Sequence, residues 1–251
     1  MDMRLYGSSV MVTGGSGDIG RAIARAFAAE GANVAITYAT QADVAKELAR
    51  ELGEQGVRTC DVHLDLGSPE SATAAVDVVT EAFGGLDVLV NNAVWWEEWR
   101  DYIEDWEPED WQPVLRGNIE GVFTLTQRAA PFLRRSRAGR IVFISSTLTE
   151  RGMTGCWSYA TAKSAGHGLA RGLAWDLGRD GVLVNTVSPG MVLVNGRHRS
   201  ASDEELAELA TRQPVRRLPT AEDVAAAVLF LASGVNQSIT GEILRVTGGT
   251  A

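Results

Sequence analysis

The chain has 251 residues, of which 45% are hydrophobic and 22% charged, and its formal net charge is -9. This acidic balance disfavours a nucleic-acid-binding surface, which needs a basic stripe. The longest apolar runs, such as 224–232, fall short of the roughly 20 residues of a membrane-spanning helix, and the first residues lack a signal-peptide pattern. We therefore expect a folded cytoplasmic protein that does not engage membranes.

Short β-branched apolar runs alternate with helical patterns along the chain. The predicted strands cover 9–13, 33–38, 62–66, 86–92, 140–146, 182–189 and 242–249. Helical periodicity covers 18–31, 41–55, 68–83, 109–133, 157–178 and 221–233. Continuous apolar strands are typical of a sheet covered on both faces. The pattern predicts one α/β domain over 1–251, a Rossmann-type doubly wound parallel sheet of seven strands flanked by helices.

Two long segments that follow strands, 94–108 and 193–219, carry no predicted element. Ligands of open α/β sheets bind beyond the carboxyl ends of the strands, so we expect these segments to form the walls of a substrate pocket. The two cysteines and three histidines have neither the spacing of a disulfide framework nor that of a metal site. We therefore expect no bound metal.

Residues 13–20, TGGSGDIG, join the first predicted strand to the first helix. A glycine-rich turn in this context lets the backbone approach a pyrophosphate, which the free N–H groups of the helix start can bind. The glycines fit two registers, because Asp18 stands where one register has a middle glycine and Gly17 supplies a glycine one residue earlier. An acid suits the positive end of a helix, so we expect the Asp18 carboxylate to point away from the phosphates.

The stretch SYATAK places Tyr159 and Lys163 four residues apart, on one face of a predicted helix. A lysine cation beside a phenol favours the phenolate, so we expect Lys163 to lower the pKa of Tyr159. Tyr159 could then serve as general acid or base between an alcohol and a carbonyl. An ordinary exposed helix pair is the alternative when this motif is taken alone.

Further motifs occur in a fixed order: DL at 65–66, NNA at 91–93, Asn118 in WQPVLRGNIEGVF, Ser146 thirteen residues before Tyr159, SPG at 188–190 and the closing ITGEILRVTGG. With these motifs the sequence resembles the classical short-chain dehydrogenase/reductases over essentially its whole length. The resemblance implies hydride transfer between a nicotinamide and a carbonyl carbon, and a homotetramer or homodimer. It implies a catalytic set of Asn118, Ser146, Tyr159 and Lys163, with Asn118 supporting a water relay and Ser146 binding the substrate oxygen.

The same resemblance implies the cofactor contacts, with Asp65 as acceptor for the adenine amino group. They are Gly14, Ser16, Gly17, Asp18, Ile19, Gly20, Tyr38, Asp65, Leu66, Asn91, Ala93, Tyr159, Lys163, Pro189, Gly190 and Val192. One departure is Val194, where the family often has Thr or Ser, so one hydrogen bond to the cofactor is expected to be missing.

The end of the second strand bears on the choice between NADP and NAD. NAD-specific enzymes place an acid there to accept from the ribose hydroxyls, and this chain has Tyr38. The basic residue that NADP-specific relatives carry is also absent from its two usual positions, Gly17 and Ala39. The segment TYATQ resembles the NYA strand end of NADPH-dependent relatives, so we favour NADP, with NAD as the alternative.

Tryptophans cluster where the substrate is expected. Five of the seven fall within seventeen residues, at Trp95, Trp96, Trp99, Trp106 and Trp111, and Trp157 lies two residues before Tyr159. Flat apolar area beside a catalytic pair favours a bulky cyclic or aromatic small-molecule ketone, of polyketide type for example, with Trp95, Trp96 and Trp157 in the pocket. Packing of the loop or of a subunit contact is the alternative for each ring.

Two other functions fit part of the sequence. An extended-type relative acting on nucleotide sugars fits the spacing of Gly14, Gly17 and Gly20, but it would need a further C-terminal region after VTGG. A non-catalytic cofactor-binding sensor or scaffold on the same fold is the alternative from another class, because a fold alone does not determine function. The intact Ser146, Tyr159 and Lys163 favour the ketoreductase.

Overall fold

The structure, a computed structural model, describes residues 2–96, 100–194 and 201–249. Seven strands form one sheet, and every neighbouring pair is parallel. They are β1 (Ser9–Val12), β2 (Asn33–Tyr38), β3 (Thr59–His63), β4 (Val88–Asn91), β5 (Arg140–Ile144), β6 (Leu183–Pro189) and β7 (Ile243–Val246). Their order, β3-β2-β1-β4-β5-β6-β7, confirms the predicted doubly wound fold, with the strand order reversing at β1 and β4.

Helices connect the strands on both faces of the sheet. They are α1 (Asp18–Ala29), α2 (Ala42–Gly53), α3 (Pro69–Phe83), α4 (Pro108–Leu115), α5 (Val122–Arg135), α6 (Leu148–Arg151), α7 (Trp157–Gly178), α8 (Asp203–Arg212) and α9 (Ala221–Ala232). A 3-10 turn spans Ile103–Asp105, and a π-helical segment, Arg116–Gly121, lies between α4 and α5. Among the helices described, none combines the length and the apolar character needed to span a membrane.

Alternation along β1 divides the core into two layers. Val10 and Val12 contribute to the layer that α1, α2 and α9 cover, whereas Met11 points into the layer covered by α3, α5 and α7. Successive residues of a strand face opposite sides, so one apolar run supplies both layers. The central strands β1 and β4 are fully buried, which fixes the carboxyl edge of the sheet from which the site is built.

Two predicted elements differ markedly from the structure. The third strand is Thr59–His63 instead of 62–66, because β3 is an edge strand with half-exposed, polar residues and the apolar run that follows belongs to the loop. The predicted helix 109–133 is interrupted by the π-helical segment. There, a Cβ at Gly121 would lie 2.0 Å from the Leu66 carbonyl oxygen, so this segment needs a glycine at its contact with the β3–α3 loop.

The stretch 193–219 was expected to be irregular, and this prediction is wrong for its middle part, which forms α8. The helix starts with a capping box, in which the Ser202 hydroxyl accepts from the Glu205 N–H and the Glu205 carboxylate accepts from the Ser202 N–H. Ser-x-x-Glu before a helix is a signal that the sequence carried and that we overlooked. Residues 195–200 of this stretch lie outside the described residues.

Candidate active site

The glycine turn between β1 and α1 is closely packed against the loop that follows β4. Gly14 has a φ of +60°, and a Cβ there would lie 2.9 Å from the Ala93 Cα. A Cβ at Gly20 would lie only 2.2 Å from the Gly14 carbonyl oxygen. Both positions therefore require glycine, whereas Gly17 has an ordinary φ of -76° and more room, with its Cβ 3.3 Å from the same oxygen.

The start of α1 suits a phosphate group. Gly17 is the residue before the helix and provides no side-chain acceptor for the N–H groups of the first turn. Such groups carry the positive end of the helix dipole and bind anions. Asp18 opens the helix and lines the neighbouring cavity, but its Oδ1 accepts a 2.6 Å hydrogen bond from Arg21 Nη2. The Arg21 cation thus offsets the charge of the acid beside the turn.

Asn92 and Thr13 hold this turn in place. The Thr13 hydroxyl accepts from the N–H groups of Asn92 and Ala93, both at 2.8 Å. The Asn92 side-chain amide donates to the carbonyl oxygens of Thr13 and Gly14, at 2.8 and 3.2 Å. Sequence reasoning selected Asn91 of the NNA motif and passed over Asn92. Asn91 is instead buried, with its amide directed to Thr126 Oγ1.

One cavity of 1120 Å³ runs along the carboxyl edge of the sheet. It brings together most of the predicted site residues, namely Gly14, Ser16, Gly17, Asp18, Ile19, Gly20, Tyr38, Asp65, Leu66, Ala93, Trp95, Trp96, Ser146, Tyr159, Lys163, Pro189, Gly190 and Val192. Asn91, Asn118 and Trp157 do not line it. The lining residues that we had not assigned are Thr37, Ala39, Thr40, Gln41, Leu64, Asn92, Val94, Ile144, Ser145 and Val194. Six of these ten directly adjoin an assigned residue in the sequence, which is the signal that could have found them.

Three neighbouring side chains that could move a proton line this cavity. Ser146 follows β5, and its hydroxyl is hydrogen-bonded to Tyr159 at the start of α7. Lys163 lies one turn further along α7, with its Nζ 5.8 Å from the centre of the Tyr159 ring. The Lys163 ammonium donates to the carbonyl oxygen of Ile144 at 2.9 Å. The carboxyl end of β5 therefore positions both Ser146 and Lys163 relative to Tyr159.

Burial, not charge pairing, dominates the pKa values of this group. Burial raises the pKa of Tyr159 above its ordinary value of 10.0, and the Ser146 hydrogen bond opposes that rise. Burial lowers the pKa of Lys163 from 10.5 to about 8. The pKa of Tyr159 is therefore raised and not lowered as the sequence led us to expect, because desolvation of the phenolate is the largest cause. At neutral pH the pair is a phenol, able to donate a proton, beside an ammonium.

Asn118 lies in the π-helical segment and acts on the polypeptide backbone. Its Oδ1 accepts from the Trp95 N–H at 2.8 Å, and its Nδ2 donates to the carbonyl oxygens of Trp95 and Val114 at 2.8 and 2.9 Å. The side-chain amide of Asn118 therefore fixes the backbone of Trp95, the residue before Trp96. Its role in a water relay, implied by the resemblance, stays a prediction.

The predicted pocket tryptophans have separate environments. The Trp96 ring meets the Tyr159 ring edge to face, with centroids 5.8 Å apart. Trp95 lies over the glycines of two other elements, Gly67 and Gly117. Trp157 is not brought to the cavity, because residues two apart on a helix point in different directions and its ring packs against Trp106 and Trp111. Trp99 falls outside the described residues.

The residues present fit a dinucleotide. The glycine turn leaves space that a Cβ would fill, α1 presents its N-terminus, and Asp65 lies further along the same cavity. The end formed by Tyr38, Ala39, Thr40 and Gln41 carries no charged side chain. Among the described residues that line the cavity, Lys163 is the one cation.

Comparison with known proteins agrees with this geometry. A family model described as enoyl-(acyl carrier protein) reductase matches residues 15–251. A curated 3-oxoacyl-[acyl-carrier-protein] reductase of Staphylococcus aureus, FabG, is 34% identical over 241 residues, which cover 96% of this chain and 97% of that protein.

Two solved structures are similar over nearly the whole chain. A short-chain dehydrogenase of Burkholderia cenocepacia in complex with NADP is 37% identical, with a TM-score of 0.88 and 98% of each chain covered. A 7α-hydroxysteroid dehydrogenase complexed with NADH and 7-oxo glycochenodeoxycholic acid is 31% identical, with a TM-score of 0.91 and 99% and 96% covered. The chain thus belongs to the classical short-chain dehydrogenase/reductase family and is an oxidoreductase that uses NAD(P).

Proposed function

We propose that the protein is a ketoreductase that interconverts a bulky cyclic or aromatic ketone and its secondary alcohol, with NADP(H) as the preferred cofactor. The observation that carries the substrate class is the contact between Trp96 and Tyr159 in the cavity. An indole edge-to-face with the tyrosine ring provides flat apolar surface where the reacting carbonyl must lie.

The catalytic roles follow from the positions of three side chains. A bound nicotinamide supplies the hydride. Tyr159, a phenol at neutral pH, donates the proton to the carbonyl oxygen, and Ser146 holds both the tyrosine and that oxygen. The Lys163 ammonium, fixed by the Ile144 carbonyl, stabilises negative charge that develops on the tyrosine oxygen.

The preference for NADP(H) rests on the uncharged end of the cavity. Position 38 holds a tyrosine and not an acid that would repel a 2′-phosphate. Hydrogen bonds to this phosphate can come from the side chains of Thr40 and Gln41 and from the backbone N–H groups at the start of α2. Initial rates with NADPH and NADH at equal concentration test the preference. Equal rates, or a preference for NADH, would contradict it.

The relatives support two substrate classes, so the test compares both. The hydroxysteroid dehydrogenase was solved in complex with 7-oxo glycochenodeoxycholic acid, whereas the bacterial FabG proteins are named for 3-oxoacyl-[acyl-carrier-protein]. Cyclic aromatic ketones and a 3-oxoacyl thioester are assayed side by side by nicotinamide absorbance. We expect kcat/KM to be at least tenfold higher for the aromatic ketones. A preference for the flexible thioester would replace this proposal with the fatty-acyl activity.

Replacing Tyr159 with Phe tests the enzyme against the sensor or scaffold alternative. The variant keeps the ring contact with Trp96 and loses the proton donor, so turnover falls by roughly 10²–10⁴-fold. Cofactor affinity, measured by titration calorimetry, stays within about threefold. Wild-type turnover in the Y159F variant would contradict the catalytic role.

We also propose that the protein forms a homodimer or homotetramer through α7. The exposed face of this helix carries Ser164, Gly168, Gly172 and Trp175 at helical spacing, and Trp175 is 89% exposed. A Cβ at either glycine would meet nothing within 4 Å, so a second helix could approach closely. Light scattering of Trp175→Arg should show a smaller assembly than wild type. An unchanged mass would reject this interface.

We also propose that the enzyme works in the cytoplasm. Both cysteines are free thiols, which is usual for a compartment kept reducing.

A further inference from the structure

Two adjacent tryptophans contact different parts of the cavity. Trp96 meets the catalytic tyrosine, whereas Trp95 extends towards the loop after β3 that carries Asp65. Both line the same cavity, yet their rings lie against different elements. We propose that Trp95 is a cofactor-binding residue, whose indole forms one wall of the adenine site, and not a wall of the substrate pocket as the sequence led us to expect.

The position of the Trp95 ring is defined by Gly67. A Cβ built on Gly67 would lie 3.2 Å from Asp65 Oδ1 and 3.4 Å from Trp95 Cζ3. The carboxylate and the edge of the indole therefore flank the same small volume. Asp65 is held there by the Gly67 N–H, which donates to its Oδ1 at 2.8 Å. An acceptor and an aromatic ring side by side are what an adenine needs, since its amino group donates and its face stacks.

The π-helical segment fixes the root of the same side chain. Asn118 holds both the N–H and the carbonyl of Trp95. Gly117 lies beneath the side chain, and a Cβ there would be 3.0 Å from Trp95 Cβ and 3.3 Å from its Cγ. A larger residue at 117 would displace the indole. The ring is thus held at its root and its edge, while 37% of the residue stays exposed.

This arrangement predicts that the two tryptophans separate cofactor binding from substrate binding. Stacking of a base on an aromatic side chain is worth about 1–3 kcal/mol, which corresponds to roughly 5- to 150-fold in affinity. Loss of the Trp95 ring should weaken binding of the adenine half of the cofactor by this factor. Loss of the Trp96 ring should leave that binding unchanged and raise the KM for a ketone.

The test uses ADP-ribose and 2′-phospho-ADP-ribose, which carry the adenine half and no nicotinamide. Their affinities for the wild type, Trp95→Leu and Trp96→Leu are measured by titration calorimetry, with thermal melts to verify folding. We expect W95L to weaken the tighter-binding fragment at least fivefold and W96L to change it less than twofold. Trp95→Phe, which keeps an aromatic face, should restore most of the affinity.

A second variant keeps both tryptophans. Gly67→Ala places a methyl group between Asp65 and the indole edge, so it should also weaken fragment binding, even if W95L fails to fold. The proposal is overturned if W95L and G67A bind the fragments like wild type, or if the wild type binds neither fragment. The calorimetry involves no ketone, so the fragment affinities can be interpreted even if the proposed substrate class is wrong.

Discussion

The glycine turn at 13–20 and the adjacent tryptophans Trp95 and Trp96 line one cavity, but they shape it in opposite ways. The turn makes room by lacking side chains, since a Cβ at Gly14 or Gly20 would collide with backbone atoms. Trp96 and Trp95 fill room with large rings that lie on different partners, Tyr159 and Gly67, while Trp106 packs on Trp157 outside the cavity. A missing side chain can be required only where the backbone is close, whereas a large ring packs wherever the rest of the fold leaves a surface.

The largest expected effect tests the turn. Gly20→Ala would bring a Cβ to 2.2 Å from the Gly14 carbonyl oxygen, and backbone cannot yield as a side chain does. We expect NADP(H) affinity to fall about 100-fold, in line with overpacking costs of up to about 3 kcal/mol. Gly17→Ala is the matched control, because its Cβ meets the same oxygen at 3.3 Å, and it should change affinity less than about threefold. Equal losses in the two variants, measured by fluorescence titration, would mean that steric fit does not define the turn.

The second prediction tests whether the tryptophans are separate in function. Trp157→Ala removes a half-buried ring from the cluster with Trp106 and Trp111 and should lower the free energy of unfolding by about 2–4 kcal/mol. Trp157→Phe should cost less than about 1 kcal/mol, because the indole N–H of Trp157 has no acceptor among the described residues. Denaturant unfolding measures both. A raised ketone KM in W157F, with stability unchanged, would return Trp157 to the substrate pocket.

The third prediction concerns pH. The pKa of Lys163 is lowered to about 8 by burial, so its cation is present below that pH and is lost as the pH rises through it. Because burial also raises the pKa of Tyr159, the tyrosine keeps its proton across this range. We expect kcat/KM for ketone reduction to fall by about tenfold per pH unit above pH 8.

Lys163→Arg is the control for this profile, since a guanidinium stays charged throughout the range. The fall near pH 8 should disappear in that variant, whatever its overall rate. The same shift has a consequence for stability. A folded-state pKa below the unfolded value of 10.5 means that the buried cation destabilises the fold at neutral pH, and this cost is relieved as the pH rises from about 8 to above 10.5. A fall near pH 8 that persists in K163R would assign it to another group.

Features that depend on neighbouring residues could be predicted from the sequence. The sheet, the glycine turn and the Tyr159–Lys163 pair are of this kind, because they follow from local periodicity and spacing. Other features depend on contacts between residues that are distant in sequence. They are the packing of the Trp157 ring on Trp106, the hydrogen bonds of Asn118 to the Trp95 backbone, and the burial that raises the pKa of Tyr159. Helix α8 is a different case, because its Ser202–Glu205 capping box was present in the sequence and was overlooked.

The smallest effect is expected at Asp18, the acid in the glycine turn. Its carboxylate lines the cavity where phosphates would bind, yet Arg21 donates to its Oδ1 at 2.6 Å, and both side chains are about one-third exposed, at 27% and 32%. The charges of a close, partly exposed pair of this kind largely cancel each other for a ligand nearby, and water and salt screen what remains. Asp18→Asn should therefore strengthen NADP(H) binding by only about two- to fivefold, and Arg21→Ala should weaken it by a similar factor. The double variant should return close to wild type, because it removes both charges together. A tenfold gain in D18N alone would mean that Arg21 does not neutralise the acid and that the turn binds phosphate against an uncompensated charge.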